Sequence, residues 1–178
     1  MFTLEGLLGW LEWQKPVIFL PLVILEGLIV AIAVGFAEEL LFRGWLLDEL
    51  QRDYRPSKAL WINAIASALL HFIKPLDAII RSLPQFPALL LLELILIWAK
   101  RWRRNRLGLP IGFHAGLVWD YYVINVGNLV QYSGAVPAWV TGVDRNPLAG
   151  IVGLVFLAGI AFWTRERSLQ KYQRRLGN

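Results

Sequence analysis

Five apolar stretches, at 16–47, 59–73, 86–99, 107–130 and 147–163, follow one another with short polar linkers between them. This alternation limits the fold more than any motif does. A bilayer crossing takes about 20 residues of helix. In lipid, every backbone polar group must be satisfied within the protein, so repeated apolar runs of this length call for a helix bundle. Composition agrees. Of the 178 residues, 57% are hydrophobic and 17% charged, against roughly 45–50% and about 25% in ordinary soluble domains. Disorder is excluded by so much apolar surface. The absence of cysteine excludes disulfides, thiolate metal sites and cysteine nucleophiles. The expected fold is all-α: a polytopic transmembrane bundle of about five spans at 16–164, around an intramembrane cavity.

The first stretch is longer than one crossing. It must tilt, break near Gly35 or project beyond the membrane. Residues 1–15 mix Phe2, Leu4, Leu7, Leu8, Trp10, Leu11 and Trp13 with Glu5 and Glu12. That mixture predicts a helix lying at the headgroups. It lacks the basic start and small-residue cleavage site of a signal peptide. Residues 165–178 read as a basic tail.

The formal net charge of +5 is read as a topology signal, not as a nucleic-acid footprint. Residues 51–58, 100–106 and 165–178 are basic, and 131–146 is nearly neutral. Basic loops stay in the cytoplasm. The expectation is an integral membrane protein with its N-terminus outside and its C-terminus inside. The run KRWRRNR at 100–106 is expected to touch anionic headgroups.

Eight ionisable residues interrupt the apolar stretches: Glu26, Glu38, Glu39, Arg43, His71, Glu93, His114 and Asp120. A charge in hydrocarbon costs at least ~2.5–3.5 kcal/mol, so each needs a reason. Glu39 and Arg43 stand four apart on one helix and can pair. That leaves Glu38 as the free carboxylate, placed to accept a proton from water. The competing reading is a helix end whose charges reach solvent. Asn63, Ser67 and His71 recur every four residues as one polar stripe. They suit either a hydrogen-bond network between helices or a site. His114 opens the fourth stretch, with Val118, Tyr121 and Asn125 near its face and Trp119 and Asp120 turned away. Together, Glu38, His71 and His114 supply a base, a proton donor and an oxyanion stabiliser, the parts for amide hydrolysis by an activated water. The same three suit zinc, and a metal-free water held by Glu and His suits equally well. Glu26 and Glu93 have no partner readable from sequence.

The ordered motifs resemble the CPBP intramembrane proteases, also called the ABI or CAAX-prenyl-protease family. The resemblance runs from about Gly35 to Leu154 and rests on E-E-x-x-x-R at Glu38, Glu39 and Arg43, then on His71 and His114. The stretches HFIKP, LPQFPALLLL, LGLPIGFHAGLVWDYY and NPLAGIVGL are similar to a branch found in photosynthetic bacteria and plastids. The resemblance implies a helical bundle around a conical cavity open to cytoplasm and lipid, in a cytoplasmic or thylakoid-type membrane. It implies that Glu38 activates water with help from His71. Glu39 and Arg43 would hold the helices, and His114 would polarise the scissile carbonyl. The implied substrate is a membrane-tethered peptide, prenylated at a CAAX-type end in eukaryotic members. Some bacterial members are linked to self-immunity against bacteriocins.

Two positions depart from the family pattern. Ser67 stands where F-x-x-x-H has Phe, and Val118 stands where H-x-x-x-N has Asn. Loss of that Asn removes an oxyanion donor worth ~2.7–4 kcal/mol in soluble hydrolases. Asn125 and Asn63 are the candidate substitutes. The departures favour a second reading, a non-catalytic chaperone, partner subunit or immunity protein of the same fold. Intramembrane Glu and His also build proton-coupled transporters, but no internal repeat is visible. Helix rise raises a question of depth. Counted from their helix ends, Glu38 and His71 lie ~18 Å deep and His114 only ~10 Å. Either the fourth span begins earlier or sinks deeper, or the first two helices project into the cytoplasm.

Overall fold

In a computed structural model of the chain, residues 1–176 are described, with side chains for 1–170. The elements are α1 (Phe2–Leu7), β1 (Leu11–Trp13), α2 (Leu20–Glu39), a π-helical segment (Leu40–Leu46), α3 (Leu47–Asp53), α4 (Pro56–Leu70), α5 (Leu76–Ser82), α6 (Phe86–Trp102), α7 (Gly108–Val126), β2 (Val130–Tyr132), α8 (Ala138–Thr141) and α9 (Ile151–Leu176). The protein is an all-α bundle. The continuous helical runs Leu20–Asp53 and Leu76–Trp102 are long and apolar enough to cross a membrane.

α6 is the centre. It packs on α4, α7 and α9, and buries residues on every side, including Leu89, Leu92, Leu94, Ile95, Leu96 and Ile97. A helix apolar all round belongs in the middle of a bundle. One core joins α6 to α4 through Leu94, Ile97, Ala59, Leu60 and Ala64. A second joins it to α9 through Ala88, Ile95, Leu157 and Ala161. α2 stands at the edge and packs chiefly on α7. Its buried residues follow a four-residue ridge, Val23, Gly27, Ala31, Gly35 and Glu39. Small residues on such a ridge let membrane helices approach closely. A Cβ on Gly35 would lie 3.0 Å from the backbone nitrogen of Ala115. The remaining α2 surface exposes Leu22, Leu25, Leu28, Ile29, Ile32 and Phe36, an apolar face suited to lipid.

The first helix does not break near Gly35. It continues, and its hydrogen bonding changes to the π pattern at Leu40–Leu46, directly after the Glu pair. Single π segments often sit at functional sites. Neighbouring helices serve its carbonyls. The Asn63 side chain donates to Phe42 at 2.8 Å, and Lys100 donates to Arg43.

The N-terminal segment also differs from expectation. Only Phe2–Leu7 is helical. The chain turns at Gly9, whose φ of +72° favours glycine. Leu11–Trp13 then pairs antiparallel with Val130–Tyr132. The apolar periodicity of 1–15 cannot reveal a strand partner more than a hundred residues away. Phe2, Leu11 and Val130 cluster beneath this cap.

α3 sets the level of the first helix relative to α7. A Cβ on Gly44 would touch Leu107, at the foot of α7. The nine residues from Gly44 to Asp53 therefore extend ~13 Å further along the first helix. The first helix thus runs past the foot of α7.

Candidate active site

The site is assembled by the π segment, α4, α6 and α7. Arg43 lies at its centre. Its Nη1 donates to Glu39 Oε1 at 2.9 Å, and its Nη2 donates to Glu93 on α6. Glu39 and Arg43 are 0% exposed and Glu93 is 1% exposed. Two buried carboxylates thus share one guanidinium, whose planar fork suits two acceptors at once. Glu39 Oε1 accepts a second bond from His114 Nδ1, also at 2.9 Å. This fixes the His114 ring and leaves Nε2 3.6 Å from Glu38 Oε2, beyond a direct hydrogen bond. Glu38 is the open member, with a side chain 34% exposed.

His71 caps α4. Its Nδ1 lies 3.0 Å from the Ser67 carbonyl. A carbonyl only accepts, so Nδ1 carries the proton and Nε2 keeps its lone pair. Ser67 Oγ donates to the Asn63 carbonyl at 2.9 Å. His71 and His114 line one cavity of about 430 Å³, within the usual range for ligand sites. Its walls are mainly apolar, with Leu89, Leu92, Leu117, Val118, Phe156 and Leu157 among them.

Glu38, Glu39, Arg43 and His114 are thus brought together, and His71 reaches the same cavity. The two asparagines are placed differently. Asn63 Nδ2 is spent on the Phe42 carbonyl, which faces the π segment. Asn125 lines a separate small pocket with Phe2, Asn128 and Arg145. Neither replaces an amide at position 118. Glu26 is exposed on α2. Asp120, expected to turn away, lines the cavity.

Sequence reasoning missed two residues. Glu93 stood out as an intramembrane charge, but Arg43 is 50 positions away and already had Glu39 as a local partner. Lys100 was hidden in the basic run. It is buried and bonds the Arg43 carbonyl and Asp48, so it does not belong to the headgroup-facing set. As for zinc, the described residues include no cluster of three or more His, Cys, Asp or Glu side chains placed to hold a metal ion. Glu38, His71 and His114 do not form such a cluster, although each histidine has Nδ1 anchored and Nε2 free, as metal-binding histidines do.

A family model described as type II CAAX prenyl endopeptidase, Rce1-like, matches residues 20–121. That span runs from the start of α2 into α7 and contains every residue of the Arg43 cluster. No curated protein and no solved structure matches the chain.

Proposed function

The chain belongs to the Rce1-like family of type II CAAX prenyl endopeptidases, and on that premise we propose that Glu38 and the two histidines hydrolyse a peptide bond in a membrane-tethered, CAAX-type prenylated substrate. The observation that carries this reading is the placement of His114. One ring nitrogen is fixed by the buried Glu39, the other lies 3.6 Å from the open Glu38, and the ring itself lines the apolar cavity.

In this mechanism a water sits between Glu38 and the scissile carbonyl. Glu38 takes its proton as the new C–O bond forms. The carbonyl oxygen becomes an oxyanion, which His114 stabilises from Nε2 as the imidazolium, because its Nδ1–H is committed to Glu39. Glu38 then passes the proton to the amide nitrogen as the C–N bond breaks. The products are a carboxylate and an amine, and no acyl-enzyme forms. His71 Nε2 helps to hold the water. Glu39, Arg43 and Glu93 act through His114 by holding its ring in place. The proposed topology has five crossings, with the Glu38 site reached from the cytoplasmic side and from lipid.

Val118 supports a second reading, a non-catalytic protein of the same fold. It lines the cavity one turn from His114 and has no hydrogen-bond donor. The two readings separate on purified protein in proteoliposomes with prenylated CAAX-type peptides. The protease reading predicts cleavage that depends on the prenyl group and is abolished by His114→Ala. No cleavage of any prenylated peptide, alongside cellular function that survives His114→Ala, would support the non-catalytic protein.

A further inference from the structure

The cavity wall includes one carboxylate, Asp120, no lysine or arginine, and the amino terminus at Met1, which acts on Asp120 without forming an ion pair with it. Asp120 is exposed, and no ion pair or side-chain hydrogen bond within the described residues involves it. Its neighbours on the wall are largely aliphatic and aromatic. A carboxylate in such a cavity, without an ion pair of its own, gains from a direct pair with a cation that the ligand brings. It stands six positions after His114 on α7, about 9 Å along the helix axis. An extended peptide covers that distance in about three residues.

We propose that Asp120 is a specificity-determining residue, which selects a substrate carrying a basic side chain about three residues from the scissile bond. The inference rests on the protease reading for the meaning of "scissile", but its test is a binding measurement. One group recognises the charge, and the apolar walls take the lipid and hydrophobic side chains. The same carboxylate disfavours acidic residues at that position, so the discrimination combines attraction and repulsion.

The experiment uses the full chain in lipid nanodiscs with the substitution Glu38→Gln, to prevent turnover. Labelled prenylated peptides carry a single Lys or Glu, moved one residue at a time along the sequence. At one position the Lys peptide should bind about tenfold more tightly than the Glu peptide. Asp120→Asn should bring that ratio close to one, and Asp120→Lys should invert it. Equal binding of Lys and Glu peptides at every position overturns the proposal. So does a preference that persists in Asp120→Asn, or a failure of every peptide to bind. If the preference is found but the unsubstituted protein cleaves no peptide, the protease reading fails while the recognition site stands.

Discussion

Buried carboxylates occur in two regions of this protein and are treated in opposite ways. Glu39 and Glu93 share Arg43, and Glu39 also holds His114. Glu5, in the N-terminal cap, is equally buried, yet neither of its oxygens has a partner. Burial pushes the Glu5 carboxyl above its usual 4.5, and the nearby amino terminus offsets part of that rise. The paired group gives a histidine a fixed direction. The unpaired group has its carboxyl pushed up by burial and makes the cap sensitive to pH. A buried ion pair is seldom the most stable filling for its volume, so the Arg43 cluster is best explained by the ring it orients.

The largest effect should come from removing the shared cation. Arg43→Met leaves two carboxylates buried without a counter-charge and should cost about 3–5 kcal/mol. Thermal unfolding in detergent would show it, and adding Glu39→Gln and Glu93→Gln should recover most of the loss. A melting temperature unchanged by Arg43→Met alone would break the comparison.

Next comes Val118→Asn, which supplies an amide one turn from His114. Turnover of a prenylated peptide should rise by up to about 100-fold, with little change in melting temperature. No gain would mean that the oxyanion does not form on this face of α7.

Glu93→Gln keeps an acceptor for Arg43 but removes the charge. It should cost about 1–3 kcal/mol and lower kcat more than it raises KM, because the His114 ring loosens without loss of the cavity. Glu93→Ala should be worse on both counts.

The smallest effect belongs to the cap. Because the folded pKa of Glu5 is raised, the folded state binds the proton more tightly than the unfolded chain does. The cap's stability is then full below about pH 4.5 and falls as pH rises through the folded value. Glu5→Gln should remove that slope and strengthen the cap at pH 8 by about 1 kcal/mol. Amide protection factors across 2–13 and 130–132, corrected for intrinsic exchange, would report it.

Much of the helical layout was readable because apolar runs and polar linkers set helix positions directly. The contiguous pair Glu39 and Arg43 could be read from four-residue spacing alone. Interactions at long sequence separation could not. Arg43 to Glu93, Arg43 to Lys100 and the strand pair at 11–13 and 130–132 all depend on how helices are arranged in space. The Asn63, Ser67 and His71 stripe was visible, but the role of Asn63 was not. Its amide serves a carbonyl in a π segment, and no residue pattern at 40–46 announced that change of hydrogen bonding. Lys100 shows the converse problem, since a run of like charges conceals the one member that turns inward.

The most direct test of the account is the rate of peptide cleavage by Glu38→Gln, measured together with its melting temperature. Glu38 is the open, unpaired member of the cluster, so the isosteric change should leave folding intact and lower cleavage by a factor of about 10²–10⁴. Full activity in a well-folded Glu38→Gln protein would contradict the account, because the carboxylate beside His114 would then not be the base.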